Sequence, residues 1–406
     1  MSGQPTRDAA LRIENGRVLA GDRFDDATVE VTADGLIGRA GSGYSPRRLD
    51  AEGLLVLPGI VDIHGDAFER QMMPRAGVYF PIETALLESD RQAVANGITT
   101  VFHGVTWSWE PGLRGPDNAR AILTAIEGLQ SKFAADTRFH LRHEVYNLDA
   151  EGDITSWLSA GRIDALAFND HMPLVNGAVK RSRSLERMIE RSELSREEFI
   201  RVAERVRRRA DEVSLSIVRL AAAASAHGVP LISHDDASPD QRRWFRSLGC
   251  RVAEFPMTIE TVEEASAAGD YVVLGAPNVV RGGSHVGWIG AADMIARGLC
   301  SVLTSDYYYP ALMLAPFRLA ALQVLPLEQA WMLVSDRPAQ AVGLYDRGLI
   351  AVGRRADLVL VDATSDEWPR VVATVVAGRI VQFNEVDRLF AGRKRKAVHT
   401  AWNLLK

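Results

Sequence analysis

Eight short apolar runs, separated by longer stretches, constrain this chain more than any other feature: IVDIHGD, TTVFHG, FHLRHEV, DALAFND, PLISHDD, VAEFP, YVVLGAP and SVLTSD, spread over about residues 60–345. Strand-like runs that alternate with helical stretches are the mark of parallel βα units, because parallel neighbours need a crossover between them. Between the second and third runs, DNARAILTAIEGLQSKFA places apolar residues at helical spacing behind Asp117, a residue type that caps helices. Eight such runs in succession predict an α/β fold, a closed (β/α)8 TIM-type barrel over 59–345.

The two ends of the chain read differently. LRIENGRVLAG, ATVEVTADGLIGRAG and LDAEGLLVLPG near the start, and RGLIAVGRRADLVLVD and VVATVVAGRIVQF near the end, are strand-like segments punctuated by turns. The Asn15-Gly16 pair is a hairpin signal. Neither end has enough strands for a stable sheet alone, so residues 1–58 and 346–406 together predict one small composite β-domain built from both termini. A charged insertion at about 174–227 is most simply a solvated helix pair.

With 406 residues, 47% of them hydrophobic and 24% charged, the chain can bury a large core. A net charge of −5 speaks against non-specific nucleic-acid binding. Cys250 and Cys300 have no short paired spacing, so neither a thiolate metal site nor a disulfide scaffold is expected. The first residues lack the apolar centre of a secretory signal, and no run of about 18 apolar residues suggests a membrane span. The expectation is a soluble cytoplasmic protein acting on a small molecule. Trp107 and Trp109 have two readings, an interface of a homo-oligomer or the buried core of a loop.

In a barrel of this kind, chemistry gathers at the C-terminal ends of the strands. Those ends carry His64 with Asp66, His103, Glu144 beside His143, His171 beside Asp170, His234 followed by Asp235 and Asp236, and Asp306. Imidazole and carboxylate donors together suit zinc, manganese or iron in a hydrolytic site. In His64-Gly-Asp66, alternate strand positions point to one side, so both groups can face one ion. His103, His140, His143 and His227 read as structural, His227 because it ends a helix before Gly228.

LPGIVDIHGD, followed by Glu144, His171, His234 and Asp306, resembles the amidohydrolase superfamily, as do the two-ended β-domain and the closing GLIAVGRRADLVLVD. ANGITTV, the Asp170-His171 pair, SHDDA, AEFP, GAPNVVRGGSH and SDYYYP resemble, within it, the α-D-ribose 1-methylphosphonate 5-triphosphate diphosphatases of the carbon–phosphorus lyase pathway, over about residues 54–362. The resemblance implies two divalent ions, zinc first and manganese or iron as alternatives. His64, Asp66, Glu144 and Asp306 would hold one; Glu144, His171 and His234 the other. The superfamily commonly bridges its ions with a carboxylated lysine, but Lys132, Lys180, Lys394, Lys396 and Lys406 all lie away from barrel strand ends, which leaves Glu144 as the bridge. Asp306 is the candidate general base and later proton donor.

Candidate contacts to a phosphorylated substrate are Arg70, Arg75, Asp235, and Arg281 with His285 in the glycine-rich GAPNVVRGGSH loop, where Gly282 and Gly283 offer close backbone N–H groups. The basic run Lys180, Arg181 and Arg183 reads as a solvated face, and Tyr307, Tyr308 and Tyr309 either line the pocket or pack. The expected reaction is hydrolysis of a ribose 5-triphosphate ester with release of pyrophosphate. A cyclic amidase or deaminase on the same scaffold is one alternative. A catalytically silent assembly protein is another.

Overall fold

The computed structural model describes residues 11–39, 47–176, 183–282, 290–365 and 368–391. Eight strands form one parallel sheet in simple sequential order: β1 (Ile60–Gly65), β2 (Ile98–Trp107), β3 (Asp136–Glu144), β4 (Ala165–Asn169), β5 (Leu231–His234), β6 (Val252–Glu254), β7 (Tyr271–Gly275) and β8 (Val302–Thr304). These are the eight runs of the sequence, in the same order. The sheet curls until its edges meet: Asp306 N donates to His64 O at 3.0 Å, and Asp66 N donates back to Asp306 O at 2.8 Å. Asp62 fastens the same seam, accepting from Thr304 Oγ1 at 2.6 Å, Ser305 Oγ at 2.5 Å and Ser305 N at 3.1 Å. The barrel is therefore a TIM-type barrel with helices outside.

The lower interior is apolar: Val61, Ile63, Phe102, Ala165, Ala167, Ile232, Val252, Val273 and Val302 pack there, with Ala339 and Val342 joining them. Short strands expose alternate residues to the inside, so the next inward position on several of them is polar and lies at the top. Ile232 is followed by His234, Val252 by Glu254, and Ala167 by Asn169. This switch from apolar filling to polar crown places the site.

A second, nine-stranded sheet draws on both ends of the chain. Its centre is the strand Leu55–Pro58, which pairs in parallel with Leu11–Ala20 and antiparallel with Leu358–Asp362. Asn15-Gly16 does not make the hairpin turn. Asn15 adopts φ 65° within the strand Leu11–Ala20, whose register shifts between Ile13 and Gly16, so the pair forms a bulge. The chain reverses instead at Gly21-Asp22, between strands Leu11–Ala20 and Arg23–Val31. A Cβ at position 16 would stand 2.7 Å from Val56 Cγ2, which is why glycine follows the bulge.

The charged insertion also departs from a simple solvated pair. Helices Met172–Asn176, Arg183–Ser192, Arg196–Arg207 and Ala210–Ala226 cross this region. Met172, Val175, Leu185, Met188, Phe199 and Ala203 bury a core of their own together with Trp109. The Trp109 ring lies 5.3 Å from Phe199, and Trp107 lies 4.8 Å from Trp157, so both tryptophans are packed within the chain. Their apolar spacing was masked by charge because the arginines and glutamates occupy the outer faces of the same helices. Among the described residues, no helix is long and apolar enough to cross a membrane.

Candidate metal centre

Strand β3 carries His140, Arg142 and Glu144 at alternate positions, so one strand sends an imidazole, a guanidinium and a carboxylate to the same side. His140 is fully buried, and its Nδ1 lies 3.0 Å from Ile63 O. A carbonyl can only accept, so Nδ1 carries the proton and Nε2 presents a bare lone pair. Glu144 points to β4 and holds His171, with Oε1 2.5 Å from Nδ1 and Oε2 accepting from the His171 backbone N–H at 3.2 Å. The opposing effects of burial and of His171 leave the Glu144 carboxyl at about 2.

Three sets of donor atoms converge closely enough to share an ion: His64, Asp66 and Asp306; His64, His140 and Glu254; and His171, His234 and Asp235. The structure thus gathers His64, Asp66 and Asp306 on one side, and His171 with His234 on the other. Glu144 stands behind His171 rather than between the sides. The carboxylate in the middle is Glu254, whose Oε2 lies 2.9 Å from Nδ1 of both His64 and His234.

The buried atoms fit a cation. His64 Nδ1, His140 Nε2 and Glu254 Oε1 have no hydrogen-bond partner, and such atoms are costly to bury bare. Burial and the nearby Arg142 charge hold His64 and His234 well below the usual histidine range, which keeps both rings neutral. Burial, then the adjacent Asp66, pushes the Asp306 carboxyl well above its ordinary value, and burial takes Asp235 to about 6. Crowded acids of this kind are relieved when a divalent ion sits among them.

Backbone strain is concentrated here. Asp235, Phe255 and Asp306 adopt φ of 58°, 54° and 54°, a left-handed conformation uncommon for residues other than glycine. Each follows the end of an interior strand. Strain of this kind at strand ends accompanies the aiming of functional side chains.

Among the described residues, two larger clefts open at the centre. The larger, about 960 Å³, is lined by Asp66 and Asp306 and by five arginines: Arg70, Arg114, Arg187, Arg191 and Arg281. Arg114 is bound to Glu69 by two hydrogen bonds of 2.8 Å, and Arg191 to the buried Glu110 at 2.5 Å. Arg70 lies over the Tyr307 ring at 5.4 Å, and Arg281 donates to the Tyr307 hydroxyl at 3.2 Å. The smaller, about 540 Å³, is lined by His171, His234 and Asp235, with Pro173, Leu174, Met188 and Met257 around them. The helix Arg183–Ser192 borders both, and Gly112 makes this possible. A Cβ there would stand 2.2 Å from Arg191 O, so the loop reaches the helix only without one.

Of the candidate substrate contacts, Arg70 and Arg281 line the larger cleft and Asp235 the smaller. Arg75 is exposed, on a tight turn with Val78, and lines neither. Lys180, Arg181 and His285 lie outside the described residues, as does the side chain of Arg183. Tyr309 is buried, and Tyr307 reaches the cleft. His103 is buried against Phe68, His143 is buried, and His227 caps the helix Ala210–Ala226. The unanticipated members are Glu254, His140, Arg142, Arg187 and Arg191. A period-two reading of HLRHE would have found His140 and Arg142; VAE is too short for one, and the two helix arginines carried no such signal.

The family model described as "Amidohydrolase family" matches residues 91–382. The α-D-ribose 1-methylphosphonate 5-triphosphate diphosphatase of Escherichia coli (strain K12) is 34% identical over 327 residues, 78% of this chain and 85% of that protein. An adenine deaminase of Methylobacterium sp. (strain 4-46) is 27% identical over 395 residues, 91% of this chain but 58% of that protein. Among solved structures, molinate hydrolase superposes with a TM-score of 0.61 at 16% identity, covering 98% of this chain and 100% of that one. A D-hydantoinase gives 0.60 at 15%, covering 92% and 95%; both likenesses concern the fold. By its matched family model and by its sequence identity to the diphosphatase, the chain belongs to the amidohydrolase family.

Proposed function

We propose that this amidohydrolase cleaves the phosphoanhydride of a sugar 5-triphosphate, specifically α-D-ribose 1-methylphosphonate 5-triphosphate, to the 5-phosphate and pyrophosphate. The observation that carries the reading is the arginine-lined cleft directly above Asp66 and Asp306. A triphosphate brings several negative charges, and Arg70, Arg187 and Arg281 have no carboxylate partner among the described residues. The likeness to the Escherichia coli diphosphatase supports the same substrate.

Divalent metal would be held by His64, Asp66 and Asp306, with His140 and Glu254 beside them. Zinc suits this set of imidazoles and carboxylates without thiolates. When bound, the metal supplies acidification of water and polarisation of the attacked oxygen. Asp306 accepts one proton of the attacking water. The water oxygen bonds to the first phosphorus, the bond from that phosphorus to the oxygen leading to the second breaks, and that oxygen departs with the pyrophosphate, which takes the proton back from Asp306. Arg70 and Arg281 hold the departing phosphates by charge-assisted hydrogen bonds. Neutral His234 donates to Glu254 and holds that carboxylate beside His64.

A second reading is deamination or amide hydrolysis of a neutral ring, which the apolar Pro173, Leu174, Met188 and Met257 of the smaller cleft favour. Purified metal-loaded enzyme should be given the ribose methylphosphonate triphosphate, adenine and hydantoin in parallel. Pyrophosphate from the first, without ammonia from adenine or opening of hydantoin, is the expected result. The reverse pattern would remove the phosphohydrolase reading.

A further inference from the structure

Arg142 bears on how many ions the centre takes. Its guanidinium lies between the two ligand groups, with Nη1 3.4 Å from Asp66 Oδ2 and Nη2 3.2 Å from His234 Nε2. A guanidinium has only donors, so His234 Nε2 must be the acceptor, and its lone pair faces an N–H. The other ring nitrogen of His234, Nδ1, faces Glu254 Oε2 at 2.9 Å. Both nitrogens of His234 are thus engaged by protein groups.

The place of Arg142 is built into the fold. The residue is 4% exposed. With the Asn169 amide turned so that its oxygen faces the guanidinium, that oxygen accepts from Nη2 at 3.2 Å and from Nε at 3.3 Å. On the neighbouring strand β2, a Cβ at Gly104 would stand 3.2 Å from Arg142 Cδ, closer than a side chain is comfortably accommodated. The His64 side is different. His64 Nδ1, His140 Nε2 and Glu254 Oε1 are buried without hydrogen-bond partners. His64 Nδ1 and Glu254 Oε2 approach to 2.9 Å, yet Nδ1 makes no hydrogen bond. Two donors on one tetrahedral zinc are separated by about 3.3 Å, so the pair is close to the spacing of shared ligands.

We propose that Arg142 is the fixed second cation of this centre: the chain loads one divalent ion on the His64 side, and the guanidinium takes the place of a second ion between Asp66 and His234. A guanidinium is charged at every working pH and cannot be removed by a chelator, so the part of the site's positive charge that Arg142 supplies is permanent. The inference rests on the reading of the site as a metal centre, but the count does not depend on which substrate is cleaved.

Elemental analysis of the zinc-loaded, dialysed protein tests it. Wild type should hold one ion per chain, His171→Ala should still hold one, and His64→Ala should hold none. Arg142→Met removes the charge while keeping an unbranched side chain, and its count should rise to two. Two ions in wild type, a loss of the ion in His171→Ala, or a count of one in folded Arg142→Met would each overturn the proposal. Should circular dichroism show Arg142→Met unfolded, the wild-type and His171→Ala counts decide. A count of two with pyrophosphate still released would remove this inference and leave the function standing; a count of one without pyrophosphate release would do the opposite.

Discussion

Glu254 lies directly opposite His234 in the β5–β6 register and sets its Oε2 2.9 Å from the His234 Nδ1. The same oxygen is 2.9 Å from Nδ1 of His64, so one buried carboxylate touches an imidazole from each side of the site. Glu254→Gln keeps the shape and removes the charge. Loss of such a carboxylate should weaken metal binding about 10- to 100-fold. Competition against a chromophoric chelator measures this, and unchanged affinity would remove Glu254 from the centre.

In the proposed reaction, Asp306 takes the proton of the attacking water. Asp306→Asn should lower kcat by about 100- to 10,000-fold, the usual contribution of general acid–base catalysis, with the thermal melt of the apo protein little changed. Steady-state turnover of the triphosphate is the readout. A variant with near-normal kcat would assign the proton to another group.

Arg70 and Arg281 meet at Tyr307 from two directions. If they hold phosphate, alanine at either position should cost about 2 kcal/mol of transition-state binding, or roughly 30-fold in kcat/KM. Raising the salt concentration should lower the wild-type kcat/KM more than that of either variant. Equal salt sensitivity would argue against the pair as phosphate contacts.

Arg191 ties the helix Arg183–Ser192 to the fully buried Glu110. Burial pushes the Glu110 carboxyl up, against the pull of Arg191. Arg191→Ala strands that carboxylate and should cost about 3 kcal/mol in urea unfolding. Arg191→Ala with Glu110→Gln should recover part of the loss, because the buried charge is gone. No recovery in the double variant would mean that the arginine contributes packing alone.

Burial pushes both His103 and His143 down to about 4. An unfolded histidine takes its proton near 6.5, where these buried rings still refuse it. Stability is therefore flat above about pH 6.5 and falls as the pH drops toward 4. By pH 5, each ring should cost on the order of 2 kcal/mol. Melts of wild type and His103→Gln between pH 7 and 5 check the sign: the variant should show the shallower decline, and parallel declines would contradict it.

Much of the architecture was legible because period and length speak directly. The eight runs became β1 to β8, since short apolar segments bounded by turns have few alternatives once helices lie between them. His64, Asp66 and Asp306 were legible for the same reason, being strand-end polar residues on a barrel. Glu254 escaped because VAE is only three residues long, too short for an alternation to stand out. Arg142 escaped because an arginine inside a strand reads as an edge or surface residue; only the closed barrel, with room left by Gly104 on the neighbouring strand, turns it inward. Arg187 and Arg191 reach the site through tertiary packing of the insertion, where charge density concealed the buried Leu185 and Met188.

Metal-dependent cleavage of a sugar triphosphate, the proposed reaction, has a direct test. Pyrophosphate release from α-D-ribose 1-methylphosphonate 5-triphosphate should be measured on the purified protein as loaded, after chelator treatment, and after zinc is returned. Pyrophosphate at the start, none after chelation, and recovery on re-addition in wild type but not in Asp306→Asn are the expected results. Release that survives chelation, or no release from fully metal-loaded wild type, would contradict the proposal.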